Sequence, residues 1–352
     1  MAAQNQESSI YAPPGAISAR ARIQTVLEGK IPDQAPISFW LHNFAREKTA
    51  EGLIEESLRL QRTFRFDFLK PQSPANSACT LWGAEVETSP DPKVFPKLVR
   101  PVLRSNADLA NIIPAQVGRQ LADQVEVMRG VRAALGPDVP VIGTIFAPLM
   151  VLWEMHAGGK AAVLEMVREA PDALTPALDN IADVLSEFAR MLIKDAGVDG
   201  IFYATTTCCR GELTEEAHAR YHAPYDKQIL DEACKGGWMN ILHLCGHHHI
   251  EAARFVDRDV PIVSWELGQE NPGIPEMHGI FGRTMLTGLP GKPVFGTAPV
   301  DSLRQQASDL LSLTGGRHLL VGPGCSINPG IDESRMAAMV EQVRAITLNP
   351  HA

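Results

Sequence analysis

The residues best placed to do chemistry together are His243, Cys245 and Cys325. His243 and Cys245 lie in Ile241-Leu-His-Leu-Cys-Gly246, at the end of the mostly apolar run 238–244. In an extended strand, residues i and i+2 share a face, so an imidazole and a thiol converge where the strand ends. Gly246 then permits a sharp turn. Cys325 ends a second apolar run, Leu319-Leu-Val-Gly-Pro-Gly-Cys325. Three soft ligands at strand termini are what a catalytic zinc ion (Zn2+) requires, with a further position left for an exchangeable ligand. A structural zinc is disfavoured, since no compact Cys-x2-Cys knuckle occurs. The competing reading is three buried, uncoordinated side chains.

The elements that must carry these residues alternate along the chain. Strands are expected at 35–42, 66–71, 139–147, 198–205, 238–245, 260–266, 284–289 and 318–321. Helices are expected at 18–28, 51–63, 109–135, 161–195, 214–235, 247–256, 302–313 and 332–346. Ser18 and the Asp301-Ser302 pair are expected helix N-caps, and Gly197 a helix stop. Short, doubly buried strands separated by helices imply a parallel sheet, and eight of them imply closure into a single-domain α/β fold, the (β/α)8 TIM barrel. A doubly wound sheet would need a glycine-rich turn after its first strand, where this chain has Trp40-Leu-His-Asn-Phe-Ala45. Barrel active sites form at the C-terminal ends of strands, so strands five and eight would bring His243, Cys245 and Cys325 to one face. Residues 1–17 are expected to be a flexible leader and 18–352 the barrel.

Composition narrows the function classes. With 45% hydrophobic and 21% charged residues, the 352-residue chain has an ordinary globular make-up. A formal charge of −9 and no Lys/Arg cluster argue against nucleic-acid binding. No secretory signal or membrane span is expected, which points to a cytoplasmic protein. Six cysteines are then thiols or metal ligands rather than a disulfide framework.

On these residues the chain resembles the uroporphyrinogen decarboxylase superfamily, and within it the zinc-dependent methyltransferases that move a methyl group between a corrinoid protein and a thiol such as coenzyme M. The resemblance runs from about Ala19 to Ile346. Arg20-Ala-Arg-Ile-Gln-Thr-Val-Leu-Glu-Gly-Lys-Ile-Pro-Asp-Gln-Ala-Pro36 is similar to the family's opening helix and first-strand approach. Leu213-Thr-Glu-Glu216, Tyr221 and Pro224-Tyr225 are similar to its segment before the metal strand. His243-Leu-Cys-Gly246 and Gly322-Pro-Gly-Cys-Ser-Ile-Asn-Pro329 match its His-x-Cys…Cys zinc pattern. The decarboxylase proper has an Arg-Gln-Ala-Gly-Arg motif after strand one, where this chain has Leu41-His-Asn-Phe-Ala-Arg46. Its Ser-Asp-Ile after strand two is replaced by Lys70-Pro-Gln-Ser-Pro74. Cobalamin-independent methionine synthase, a related zinc barrel, adds a glutamate ligand some twenty residues after its His-x-Cys. Here Glu266 stands 21 residues after Cys245 and is the expected fourth ligand.

The resemblance implies a methyltransferase (a transferase enzyme) whose zinc activates a thiolate, with a corrinoid on a separate protein as methyl donor or acceptor and a small thiol or folate as partner substrate. Alternatives are a corrinoid-independent zinc alkyl-thiol transferase or lyase, a decarboxylase of the parent type, and a non-catalytic metal- or corrinoid-binding barrel. His42, Asn43, Gln72, Tyr203 and Thr205 lie at or near expected strand ends and are expected substrate contacts. His247-His-His249 is read as solvated or supporting the ligands, since consecutive helical residues do not share a face. Cys208-Cys209, Cys79 and Cys234 are assigned to packing, Asp199 to a structural role, and Gly322-Pro-Gly324 to positioning Cys325.

Overall fold

Ser18 caps the first helix as its side chain allows: Oγ accepts the Ala21 N–H at 3.2 Å, and α1 runs Ala19–Leu27. The computed structural model describes residues 17–348 apart from 269, 290 and 291; all of the expected leader except Ile17 lies outside the described residues. Thr49 caps α2 (Ala50–Phe64) in the same way. A two-stranded antiparallel hairpin follows, β1 (Glu85–Glu87) with β2 (Lys97–Arg100), and then α3 (Arg119–Leu135). The remaining order is β3 (Ile142–Phe146), α4 (Pro148–Met155), α5 (Gly159–Glu169), α6 (Leu174–Lys194), β4 (Gly200–Thr205), α7 (Glu215–Tyr221), α8 (Ala223–Cys234) and β5 (Ile241–Leu244). Then come β6 (Ile262–Trp265), α9 (Ile274–Phe281), β7 (Thr284–Leu289), α10 (Lys292–Thr297), α11 (Val300–Thr314), β8 (Leu319–Pro323) and α12 (Glu333–Ala345).

Strands β3 to β8 pair in sequence order, all parallel. Two extended segments join the outer strands. Residues 35–41 run beside β8: Ser38 N–H donates to Val321 O at 3.1 Å and Val321 N–H to Pro36 O at 2.8 Å. Residues 66–70 run beside β3: Leu69 N–H donates to Pro140 O and Ile142 N–H to Leu69 O. The two segments meet through Asp67 N–H on Ile37 O at 2.9 Å. The ring thereby has eight members, the (β/α)8 arrangement expected from the alternating pattern.

The alternation of side chains divides the core in two. Phe68, Ile142, Phe202, Ile241, Ile262, Leu286 and Leu320 fill the barrel interior with Trp40, and Ile23 of α1 packs against them. The opposite strand faces join the larger layer between strands and helices. Each such aliphatic or aromatic side chain contributes about 2 kcal/mol by burial. Asp199, at the foot of β4, pairs with Arg20 at 2.5 Å and Arg132 at 2.7 Å and accepts from Val141 N–H and Trp238 Nε1–H.

Several expected helices are broken where proline chemistry requires it. The 161–195 stretch splits at Ala170 (φ +47°), because the residue before Pro171 is driven out of the helical region. The 214–235 stretch restarts after His222, with Pro224 in the first turn of α8. No α-helix spans 247–256; His249 takes φ +50° and only the short turn Ala252–Phe255 is helical. The hairpin, α4, α9 and α10 were not anticipated. Among the described residues, no helix is long and apolar enough to cross a membrane.

Candidate metal centre and substrate cavity

β5 carries His243 into the barrel interior, 2% exposed, opposite Ser264 of β6. Cys245 continues the ladder, its N–H donating to Thr205 O at 2.8 Å. Cys325 follows β8. One ligand atom from each of His243, Cys245 and Cys325 lies within 4.8 Å of the others. The Cys245 and Cys325 sulfurs are 3.8 Å apart. Two thiolates on a tetrahedral ion with Zn–S of about 2.3 Å stand about 3.8 Å apart, so the spacing fits zinc. His243 Nδ1 shares a 3.1 Å hydrogen bond with Ser264 Oγ, while Nε2 is buried without a hydrogen-bond partner. With the proton on Nδ1, the Nε2 lone pair is left free for a metal ion, as metal-bound histidines require.

Two glycines make this convergence possible by space rather than by φ. A Cβ on Gly324 would stand 2.6 Å from Glu266 Cα. A Cβ on Gly246 would stand 2.7 Å from Cys209 Sγ and 3.1 Å from Cys208 Sγ. Gly246 therefore meets a packing demand within the turn expected there, its N–H donating to Leu244 O at 3.0 Å.

Glu266 directly follows β6, 4% exposed, against Gly324 and hence beside Cys325. It is not in the convergent trio; its Oε2 lies 3.1 Å from His247 Nδ1. His247 supports Glu266 from a largely exposed position. Cys208 and Cys209 are buried beneath Gly246, and Cys79 is buried, but Cys234, assigned to packing, is exposed.

The thiols open onto a cavity of about 250 Å³ walled by Trp40, Phe146, Met150, Trp153 and Phe202, with Phe95 from the segment joining β1 and β2 at its mouth. His42 and Gln72 line it as expected; His42 Nδ1 is 2.8 Å from Glu47 Oε1. Asn43 lines a smaller neighbouring void. Tyr203 and Thr205 are corrections. Their side chains face the helix layer, where Tyr203 O–H donates to Asp226 at 2.6 Å and Thr205 Oγ1 meets His222 Nε2 at 2.7 Å. A strand alternates faces at every residue, so Phe202, Ala204 and Thr206 are the neighbours that line the cavity.

The expected set omitted Lys70, Thr144, Trp153, Glu154 and Thr206. Lys70 is buried and donates to Gln72 Oε1 at 2.9 Å, with its ammonium 4.8 Å from the Phe202 ring centroid. Burial pushes it down to about 7, against the opposing fields of Cys325 and Glu47. Glu154 is pushed up to about 8 by burial alone. A lone acid in the apolar stretch Pro148-Leu-Met-Val-Leu-Trp-Glu-Met155 was the available sequence signal for it.

A TIM barrel with a His-x-Cys pair on strand five and a cysteine after strand eight defines a class of enzyme scaffold, and the comparisons identify the family. The profile described as "Uroporphyrinogen decarboxylase (URO-D)" matches residues 42–346, and the chain belongs to that family. It is similar to the protein named methylcobamide:CoM methyltransferase MtbA of Methanosarcina mazei, 22% identical over 61% of this chain and 61% of that relative. It is also similar to methylcobamide:CoM methyltransferase MtaA of Methanosarcina barkeri, 25% identical over 72% of this chain and 69% of that one. The chain thus spans about three fifths of the length of the first of these curated relatives. Among solved structures, one titled "methyltransferase from Methanosarcina mazei" shares the fold with a TM-score of 0.75 at 16% identity, over 94% of this chain and 99% of that one. A B12-independent methionine synthase from Shewanella sp. W3-18-1 matches with a TM-score of 0.50 at 13% identity, over 84% of this chain and 85% of that one.

Proposed function

We propose that this protein is a zinc-dependent methyltransferase that moves a methyl group between a corrinoid and a thiol. The observation that carries the reading is the convergence of one buried, unpartnered imidazole nitrogen and two cysteine sulfurs within 4.8 Å at a cavity wall. His243 Nε2, Cys245 Sγ and Cys325 Sγ would hold the ion, with Glu266 as a further ligand from the floor beneath Gly324. When bound, zinc supplies the Lewis acidity that keeps a thiol substrate deprotonated near neutral pH.

The chain's own residues do the rest. Ser264 Oγ, accepting from His243 Nδ1–H, would orient the ring and leave Nε2 for the ion. Trp40, Phe146 and Phe202 wall the thiol from water, which strengthens electrostatic interactions there and leaves the sulfur poorly solvated. Lys70 places a buried cation in the field of Cys325, countering the negative charge that two thiolates bring. A cavity of about 250 Å³ admits a short thiol but no corrin ring, so the corrinoid would approach from the mouth; a separate protein as its carrier is part of this proposal. Phe95, 59% exposed at that mouth, offers an apolar contact for such a partner.

A decarboxylase of the parent type is disfavoured by Arg46, the arginine in the corresponding segment, which is over half exposed and pairs with Glu55. The proposal is tested by metal analysis of the purified protein with His243→Ala and Cys325→Ser, followed by methyl transfer from methylcobalamin to a thiol panel. About one zinc per chain is expected, lost in both variants, with transfer following the metal. A metal-free wild type that still turns over would overturn the mechanism.

A further inference from the structure

The cavity has a second polar region that the metal ligands do not use. Thr144 Oγ1, Trp153 Nε1, Glu154 Oε2 and Thr206 Oγ1 line it, are buried, and have no hydrogen-bond partner in the protein. A buried polar atom left unpaired costs about 1–3 kcal/mol, and with Gln72 Nε2 and Ser73 Oγ the lining residues carry six such atoms besides His243 Nε2, which marks the cavity as a place where a ligand completes the hydrogen bonds. α4 supplies two of them. Its residues Met150, Trp153 and Glu154 lie three and four apart and share the cavity-facing side. Leu149, Val151, Leu152 and Met155 belong to the core.

Glu154 is the one carboxyl group among the described lining residues, and it is 8% exposed. The other titratable group whose field it shares is the Cys79 thiol, in the short turn Ala78–Trp82. No basic side chain offsets it, so burial alone sets its protonation. Lys70, the lining cation, is engaged by Gln72 and by the faces of Trp40 and Phe202.

We infer that Glu154 determines specificity by accepting a hydrogen bond from a protonated amino group on the substrate, which is therefore a small aminothiol. The assignment of the thiol rests on the function proposed above; that of the amino group does not. An ammonium ion restores the carboxylate charge and cancels it in the same contact. An anionic thiol would instead offer Glu154 no charge partner and leave its carboxyl protonated.

Calorimetric titration of zinc-supplemented protein with 2-aminoethanethiol, 2-mercaptoethanol, 2-mercaptoethanesulfonate and n-propylamine tests this. Wild type should bind 2-aminoethanethiol roughly ten- to a hundredfold tighter than 2-mercaptoethanol, the weight of one charged hydrogen bond. Glu154→Gln, nearly isosteric, should erase that preference while the protein stays folded. Glu154→Asp, with the carboxylate withdrawn by one methylene, should keep part of it. n-Propylamine should bind wild type and His243→Ala alike, and Glu154→Gln weakly. Equal affinity for the aminothiol and 2-mercaptoethanol, tighter binding of 2-mercaptoethanesulfonate, or survival of the preference in Glu154→Gln would each overturn the assignment. If the aminothiol ignores the metal while n-propylamine still binds through Glu154, the thiol reading falls and the amino-group assignment stands.

Discussion

Replacing Gly324 by alanine tests whether the proposed zinc site depends on the close approach of β8 to β6. The new Cβ would lie 2.6 Å from Glu266 Cα and 2.8 Å from its Cβ and Cγ. Ordinary contact begins near 3.4 Å, so the two chains must part by about 0.8 Å, and the obstacle is backbone rather than a flexible side-chain tip. Cys325 is the next residue and moves with it. Metal–ligand distances tolerate about 0.2 Å, so a displacement of this size should cost roughly ten- to a hundredfold in zinc affinity. Overpacking should cost about 1–3 kcal/mol of stability. Gly279→Ala is the control: it is exposed in α9 with nothing within 4 Å of the added Cβ, and should be neutral or slightly stabilising. The assay is competition for zinc against a chromophoric chelator, with melting temperatures in parallel. Wild-type zinc affinity in a folded Gly324→Ala protein would refute the reasoning that this contact sets the position of Cys325.

Two further outcomes follow from the polar groups at either end of the barrel. Asp199→Ala strands Arg20 and Arg132 and leaves Val141 N–H without its acceptor, which should cost about 3 kcal/mol, or roughly 4 °C in melting temperature, with zinc content unchanged. Glu154 titrates near 8 in the folded chain against an ordinary 4.5, so the folded state holds its proton more tightly than the unfolded state between these values. Stability should therefore fall as pH rises from about 4.5 to 8, and Glu154→Gln should flatten that fall in denaturant titrations. A variant whose pH profile parallels wild type would show that Glu154 is not buried as described.

The order of the barrel was legible because strand–helix alternation is written in local hydrophobic period, which the chain repeats from Phe66 to Val321. The spacing His243-x-Cys245 was legible for the same reason: two residues at period two share a face wherever the strand goes. Cys325 could be joined to them because strand ends in a parallel barrel open on one side. Helix breaks at Ala170 and His222 were written in Pro171 and Pro224, but a long amphipathic pattern masks a local stop.

The eight-membered order and the three candidate ligands at its strand ends are thus properties that local pattern carries. Which residues face the cavity emerged with the folded barrel. Tyr203 and Thr205 sit one residue out of phase with Phe202, Ala204 and Thr206, and with every position of β4 buried, hydrophobicity gives no sign of which side is inside. Lys70 and Glu154 were likewise hidden, since a charge in an apolar run acquires its meaning only when strands and helices remote in sequence close around it and remove its water.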